Sequence, residues 1–256
     1  MGSKVTSMER AVGAVADGMI VALGGNVLHR SPSAAVREIV RQGRRDLKVI
    51  KTAGGYDVDL LAQAGAICAV WAGYVGYENE FGLATHYRRA VERGEVEARE
   101  HTCYSVITAL RAASYGVPYL PMNGLWGSDL LERRPEDFRV VDDPFGQGPV
   151  VAVRAIRPDV AIVHVQKADT EGNCAITGTL FEDVLMVSAA RLSIVTAEEV
   201  VLAGSLDPES VSIPAVLVSH VVHAPGGARP ASCHGYYGID AEAVRALAAA
   251  QTAVGR

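Results

Sequence analysis

The feature that most constrains the fold is an apolar segment that ends in glycine and is followed by a helix. Ile20 to Leu23 forms such a segment before Gly24-Gly25-Asn26, and a helix is predicted to follow, with Ser31 as its N-cap, Pro32 at its first position and Gly43 as its C-terminal stop. The stretch LKVIKTAGGYDVDLLAQAGA repeats the arrangement, and ICAVWAGYVGYE supplies a third apolar strand. Continuous apolar strands that alternate with helices are typical of parallel strands covered on both faces. The sequence therefore predicts an α/β fold with an open, mostly parallel sheet and helices on both faces.

The second half of the chain is less regular. Two apolar strands flank Arg157-Pro158-Asp159, RLSIVTAEEVV predicts a further strand, and a helix is expected from about Glu182 to Ala190. The stretch HYRRAVERGEVEARE is interpreted as a solvated helix and turn, and LLERRPEDFRVVDDPFGQGP as a loop. Because no low-complexity linker divides the chain, residues 1–256 are predicted to form a single domain.

Composition excludes several classes of function. The net charge of −5 gives no support for nucleic-acid binding, which requires a basic surface. No apolar run is long enough to span a bilayer, and the N-terminus lacks the apolar core of a signal peptide. The four cysteines are widely spaced and contain no C-x-x-C pair, so neither a disulfide framework nor a metal site is predicted. We expect a cytoplasmic protein without a membrane partner.

Common enzyme motifs are also missing from the sequence. It contains neither a G-x-G-x-x-G fingerprint nor a P-loop, so the glycine pairs do not indicate nucleotide binding. It contains no G-x-S-x-G elbow and no H-E-x-x-H, which disfavours an ordinary serine hydrolase and a zinc protease. The candidate ligand site rests instead on the glycine loops, since ligands of open α/β sheets bind beyond the carboxyl ends of the strands.

Several polar residues fall in loops at that edge. Glu78 and Asn79 follow the third strand and a glycine, and Gly127-Ser128 follow the segment PYLPMNGLW. A loop glutamate is often only a surface residue, and Ser128 could simply cap a helix. We nevertheless predict that these four residues contact the substrate.

The order of these motifs along the chain resembles the order found in a known family. Four segments are similar to parts of the α-type subunits of family I CoA-transferases, those of the glutaconate type in particular. They are DGMIVALGGNVLHRSPSAAVREIV, YVGYENEFGLATHYRRAVERGEVEARE, RPDVAIVHVQKADTEGN and HAPGGARPASCHGYYGID. The resemblance covers nearly the whole chain. It implies the fold of that family and an active site shared with a β-type partner subunit.

The implied reaction moves CoA between small carboxylic acids, with the CoA thioester as substrate and no tightly bound cofactor. In this family a glutamate on the β-type chain attacks the thioester and becomes a glutamyl-CoA thioester. No counterpart of that glutamate is recognised in this chain. Gly24, Gly25 and Asn26 would then form a loop that stabilises the oxyanion.

Two alternatives remain open at this point. Some relatives in this family are hydrolases that open a ring in a CoA thioester during steroid catabolism. In those enzymes an acid of the α-type chain is expected to act as the general base. Glu100 is the candidate for this role in the present chain, and Glu78 is the second choice. The other alternative is a non-catalytic ligand-binding domain, because a fold alone does not determine function.

Overall fold

The computed structural model describes residues 2–250, and seven parallel strands form the centre of the molecule. Their spatial order is β14-β12-β10-β1-β2-β4-β6. The strands are β1 (Ile20–Leu23), β2 (Leu47–Ile50), β4 (Ile67–Ala72), β6 (Glu97–Glu100), β10 (Val160–Asp169), β12 (Leu192–Val201) and β14 (His220–His223).

Seven further strands are short or lie outside this parallel set. Two of them extend the main sheet in antiparallel fashion beside the distal half of β10, namely β11 (Cys174–Ala175) and β13 (Val211–Ile213). A separate antiparallel sheet has the order β7-β9-β8 and consists of β7 (Tyr119–Met122), β8 (Phe138–Asp142) and β9 (Pro149–Arg154). A two-stranded parallel ladder joins β3 (Ala53–Gly54) to β5 (Tyr74–Val75).

The helices cover the main sheet on both faces. They are α1 (Met8–Val12), α2 (Ser33–Arg41), α3 (Tyr56–Gln63), α4 (Glu78–Phe81), α5 (Thr85–Glu92), α6 (Cys103–Ser114), α7 (Leu130–Arg133), α8 (Asp183–Ala189) and α9 (Ala241–Ala249), with short 3₁₀ turns at Pro208–Ser210 and Ala215–Leu217. The side chains of α1, α2 and α3 pack on one face, whereas α6, α8 and the three-stranded sheet pack on the other.

The alternation of residues along β1 explains this double burial. Val21 and Leu23 belong to the core under α2 and α3, whereas Ala22 belongs to the core under α6. Successive side chains of a strand point to opposite faces, so an uninterrupted apolar run is what a strand covered on both sides requires. The predicted α/β class and the open, mostly parallel sheet are confirmed.

Three local predictions were wrong. Ser31 does not cap α2: its Oγ donates to the Val27 carbonyl, and the helix starts at Ser33 after Pro32. The segment predicted as a loop contains α7 and β8, and the end of the predicted helix and turn is β6, an edge strand. Both segments carry many charges because each has a solvent-facing side, which hides their apolar periodicity. Within residues 2–250 no helix combines the length and the hydrophobicity needed to cross a bilayer.

Candidate substrate cleft at the carboxyl edge of the sheet

A large cleft lies where three loops meet beyond the carboxyl ends of the central strands. It has a volume of about 870 Å³. Its walls come from the loop after β1, from the segment between β11 and α8, and from the loop after β14. They consist of His29, Arg30, Thr177, Gly178, Thr179, Phe181, Ser232, His234, Gly235, Tyr236, Tyr237 and Gly238. Its position is the one at which open α/β sheets bind their ligands.

The turn formed by Gly24, Gly25 and Asn26 precedes His29 and Arg30 of the cleft wall without lining the cleft itself, and nothing larger than glycine fits at its first two positions. A Cβ atom on Gly24 would overlap Oδ1 of Asp183. Gly25 has φ = +68°, and a Cβ atom there would overlap the carbonyl oxygen of His29 and the backbone of Arg30. The group that approaches Gly24 so closely is therefore a buried carboxylate of the same chain, whereas Gly25 is enclosed by the backbone of its own loop.

The backbone amides of this turn already donate hydrogen bonds within the chain. The N–H of Gly24 donates to the Ile162 carbonyl at 2.9 Å, and the N–H of Gly25 donates to Oδ1 of Asp183 at 3.0 Å. The N–H of Asn26 donates to the His29 carbonyl at 2.8 Å. These three N–H groups therefore already have acceptors within the chain. The half-buried side-chain amide of Asn26 is the donor of this loop for which stabilisation of an oxyanion stays a prediction.

Arg30 is the only lysine or arginine among the residues that line the cleft, and it is held by three acceptors. Its Nη2 lies 2.7 Å from Oδ2 of Asp183 and donates to the Thr179 carbonyl at 2.7 Å, while Nη1 donates to the His164 carbonyl at 2.8 Å. The side chains of Arg30 and Asp183 are 4% and 0% exposed. This ion pair fixes the turn after β1 to the start of α8.

A second buried ion pair supports the same turn from below. Lys51 Nζ lies 2.5 Å from Oδ2 of Asp57, and both side chains are fully buried. The ammonium also donates to the Gly24 carbonyl at 2.8 Å and to Oγ of Ser31 at 3.2 Å. Two of these acceptors belong to the loop after β1, and Asp57, in the first turn of α3, compensates the charge of Lys51.

The loop after β14 is anchored by a buried histidine and a glutamate. His164 pairs with Glu198 at 2.8 Å through Nε2 and with Thr196 at 2.8 Å through Nδ1. Glu198 also accepts hydrogen bonds from the N–H of Gly226 and from the hydroxyl of Tyr237. Burial lowers the pKa of His164, although Glu198 opposes the change. Burial would raise the pKa of Glu198, but the bonds from His164, Tyr237 and Gly226 outweigh it and lower that pKa.

Cys233 lies beside this pair, and the three groups have donor types that bind zinc. Their ligand atoms lie within 4.8 Å of one another. Both ring nitrogens of His164 nevertheless have hydrogen-bond partners, and burial raises the pKa of the Cys233 thiol to about 12. The cluster therefore serves as an internally satisfied support of the loop, and we assign no metal to it.

The predicted acidic and loop residues lie outside the walls of this cleft. Glu78 begins α4 with φ = +62°, and both Glu78 and Asn79 are exposed. Glu100 is exposed at the carboxyl end of the edge strand β6, opposite Ala72 of β4. Gly127 and Ser128 lie in the turn before α7, where Oγ of Ser128 accepts a hydrogen bond from the N–H of Leu130.

The residues that shape the cleft were missed by sequence reasoning. Arg30, Asp183, Lys51, His164 and Glu198 stand in five separate segments, and no short motif contains two of them. A usable signal was present, since each is a charged or titratable residue within or directly beside an apolar run. Such a residue must find a partner when the run becomes buried.

Comparison with known proteins gives a consistent assignment. A family model described as coenzyme A transferase matches residues 5–224. The A-type chain of glutaconate CoA-transferase from Acidaminococcus fermentans is 35% identical over 256 residues, which cover 93% of this chain and 80% of the relative. The crystal structure of that enzyme matches with a TM-score of 0.90 at 34% identity, over 95% of this chain and 82% of the other.

Two other relatives carry different activities in their names. The cholesterol ring-cleaving hydrolase IpdA subunit of Mycobacterium tuberculosis is 33% identical over 268 residues, covering 100% of this chain and 91% of the relative. A crystal structure of a variant of the decarboxylase AibA/AibB matches with a TM-score of 0.88 at 33% identity, over 98% of this chain and 95% of the other. The predicted resemblance is confirmed, and the chain belongs to the coenzyme A transferase family.

Proposed function

We propose that this chain is the α-type half of a heteromeric CoA-transferase, which moves CoA between small carboxylic acids. The β-type partner supplies a glutamate that carries CoA as a glutamyl thioester. The CoA thioester is the substrate, and the reaction needs no tightly bound cofactor. Relatives named as subunits of CoA-transferases support this assignment. The four cysteines are all unpaired, which suits the reducing cytoplasm.

One observation carries the proposal. Among residues 2–250, no aspartate or glutamate lines the cleft, and the acids bonded to side chains of its wall all have internal partners: Asp183 has Arg30 and Gly25, Glu198 has His164, Tyr237 and Gly226, and Glu199 has Tyr236 and Lys167. A nucleophilic carboxylate needs a free oxygen with access to the thioester. The chain thus offers a shaped cleft without a free acid in its wall, so the reacting carboxylate is expected from the partner.

The proposed reaction has two halves. The partner's carboxylate attacks the thioester carbonyl, and the C–S bond breaks to give an acyl–glutamyl anhydride and the CoA thiolate. The thiolate then attacks the glutamyl carbonyl of the anhydride, which releases the first carboxylate and leaves CoA on the glutamate. The acceptor acid reverses these steps to form the new acyl-CoA.

Each attack places negative charge on a carbonyl oxygen, and this chain can contribute to its stabilisation. The side-chain amide of Asn26 follows the fixed Gly24-Gly25 turn, so its position is set by the ion pair between Arg30 and Asp183. A side-chain amide that donates to the developing oxyanion lowers the barrier in both halves of the reaction.

The exposed loop residues have a separate proposed role. Glu78, Asn79, Gly127 and Ser128 lie outside the cleft walls of this chain. We retain them as candidates for substrate contacts that are completed when the partner subunit is bound.

The test is the intact mass of each chain, measured under denaturing conditions once the purified complex has been incubated with a panel of acyl-CoA thioesters. A CoA adduct on the partner chain is the expected result. Substrate consumption without an adduct would contradict the transferase proposal. Release of CO₂ would indicate the chemistry named for the AibA/AibB relative.

The hydrolase is the second candidate, and one observation favours it. Glu100 is a solvent-accessible carboxylate at the carboxyl end of β6, on the same edge of the sheet as the cleft loops. A partner subunit that covers β6 would remove this carboxylate from bulk water and could hold it against the substrate, the position that a general base requires. The similarity of the entire chain to the IpdA subunit supports the hydrolase as the second candidate function.

A further inference from the structure

A second cavity lies far along the sheet from the cleft, on the face covered by α6 and the three-stranded sheet. It has a volume of about 350 Å³ and begins at Ile20 and Lys48, near the amino ends of β1 and β2. Its walls contain four cations and two acids, namely Lys48, Arg99, Arg154, Arg157, Glu136 and Asp137. None of these residues belongs to the cleft described above.

The two acids do not balance the cations of this cavity even when the neighbouring ion pairs are counted, because five cations (Lys48, Arg99, Arg134, Arg154 and Arg157) face three carboxylates (Glu97, Glu136 and Asp137), an excess of two positive charges. Arg134 Nη2 lies 2.9 Å from Oε1 of Glu136 and 2.8 Å from Oδ2 of Asp137. Burial would raise the pKa of Asp137, but the neighbouring His101 and Arg134 outweigh burial and hold that pKa below its usual value. Asp137 is therefore ionised and already paired.

The cations, in contrast, keep free donors. Within residues 2–250 the ammonium of Lys48 and the guanidinium of Arg154 have no ion pair or hydrogen bond. Arg157 gives one hydrogen bond, from Nη2 to the Ala113 carbonyl at 3.0 Å. Arg99 pairs with Glu97 at 2.9 Å.

A buried aromatic donor in the same wall points to the kind of ligand. Trp71 is 4% exposed, and its indole Nε1–H has no acceptor in the described part of the chain. The guanidinium of Arg99 lies 4.4 Å from the centre of the Trp71 ring and covers one of its faces. A buried N–H without an acceptor costs free energy, because it has lost its hydrogen bond to water. A ligand that supplies oxygen acceptors would remove this cost and neutralise the free cations at once.

We propose that this cavity binds a small oxyanion of the phosphate class, such as a diphosphate group. Lys48 and Arg154 supply the charge, Trp71 supplies a directed N–H donor, and Arg99 is held in place by Glu97 and by the indole ring. Arginine and lysine at the same anion combine planar and point-charge recognition of phosphate oxygens. The proposal does not depend on the proposed transferase activity, since no cleft residue takes part in it.

The probe is inorganic diphosphate, titrated calorimetrically into the full chain at about 0.15 M ionic strength, where exposed charges are screened beyond roughly 8 Å. Parallel titrations use coenzyme A, which carries phosphate and diphosphate groups, and pantetheine, which carries none. If saturating coenzyme A blocks diphosphate, the phosphate source is coenzyme A; if diphosphate still binds, it is a free phosphate compound. No heat with either phosphate compound would overturn the proposal.

Variants place the binding in this cavity. The double variant Lys48→Met/Arg154→Gln is expected to weaken diphosphate binding at least tenfold, whereas Arg133→Gln, an exposed arginine of α7, leaves it unchanged. Equal weakening by both would overturn the proposal. Because Trp71 and Trp126 are the two tryptophans of the chain, Trp126→Phe leaves Trp71 as the fluorescent reporter, and its emission should change on binding. Loss of binding when the partner subunit is present would also overturn it, since the cavity would then belong to a subunit interface.

Discussion

Arg30 and Asp183 form a buried ion pair that joins the turn after β1 to the start of α8. One carboxylate oxygen of Asp183 lies 2.7 Å from the guanidinium of Arg30, and the other accepts the N–H of Gly25 at 3.0 Å. Glu182, the preceding residue, accepts a hydrogen bond from the Thr52 hydroxyl at 2.7 Å. The start of α8 thus fastens the turns after both β1 and β2, and the cleft depends on it for its shape.

The first prediction concerns this ion pair. Asp183→Asn keeps the shape of the side chain but leaves the Arg30 charge without its counter-ion, and we expect a loss of about 3 kcal/mol in the free energy of unfolding. Urea denaturation followed by circular dichroism measures it. Asp129→Asn removes the acid of an exposed pair with Arg133 and should change stability by less than about 0.5 kcal/mol. Similar effects of the two variants would contradict the assignment of a structural role.

The second prediction separates backbone strain from crowding at the glycine turn. Gly25 and Gly43 share φ = +68°, but a Cβ atom on Gly43 would meet nothing within 4 Å. Gly43→Ala should therefore cost only the strain of a left-handed residue, roughly 1–2 kcal/mol. Gly25→Ala adds overpacking against His29 and Arg30, a further 1–3 kcal/mol or so. Equal melting temperatures of the two variants would refute this interpretation.

The sequence was sufficient to predict the sheet because its signal is local. β1 coincides with the apolar run Ile20 to Leu23, since a strand buried on both faces has few polar positions. β2 and β12 also begin and end at apolar residues, although they contain Lys48 and Glu198. β6 and β8 were missed because both strands are mostly exposed: β6 contains no buried residue, and Phe138 is the buried residue of β8. Their hydrophobic pattern is incomplete until the neighbouring strand is known.

The candidate site was less predictable for a related reason. The glycine turn was found from the sequence, but the partner that requires it, Asp183, stands 158 positions away from Gly25. A contact over such a separation produces no periodic pattern in the sequence, and the residue type of Asp183 alone does not show that it pairs with the glycine turn. The cleft position was predictable from topology alone, because ligands bind beyond the carboxyl ends of parallel strands.

The third prediction tests Asn26 as the oxyanion donor under the proposed transferase reaction. Asn26→Ala should lower kcat by about 10²–10³-fold with little change in KM, since the donor acts on charge that develops in the transition state. Steady-state kinetics of the complex with its partner gives both constants. Asn123→Ala, which removes an exposed amide of the loop after β7, is the control. A change in KM alone would assign Asn26 to substrate binding.

The fourth prediction concerns acid lability from His164. Its folded pKa is lowered by burial, so the unfolded chain binds the extra proton as the pH falls below the ordinary value of 6.5. Stability should therefore fall with decreasing pH from that point, by up to about 1.4 kcal/mol per pH unit. Glu198, whose folded pKa is also lowered, adds a loss below its ordinary value of 4.5.

Melting temperatures at pH 5 to 8 test this dependence. His164→Gln should melt at a lower temperature at pH 8 but vary less between pH 6.5 and 5. The exposed His223→Gln should follow the parent protein. An unchanged pH profile in His164→Gln would mean that another group causes the acid lability.

The fifth prediction separates the transferase from the hydrolase. Under the transferase proposal, neither Glu100 nor Glu78 takes part in the covalent steps, so Glu100→Gln should leave kcat for CoA exchange within about twofold of the parent, and Glu78→Gln, which removes a proposed substrate contact, should change KM and not kcat. If Glu100 is instead a general base for water, its loss should lower thioester hydrolysis by about 10²–10⁴-fold while Glu78→Gln has little effect. Both rates can be measured in one reaction, as acyl-CoA formed and as free thiol released. The two variants have the same charge change at the same edge of the sheet, so a selective effect of Glu100→Gln cannot come from the net charge and would transfer the assignment to the hydrolase.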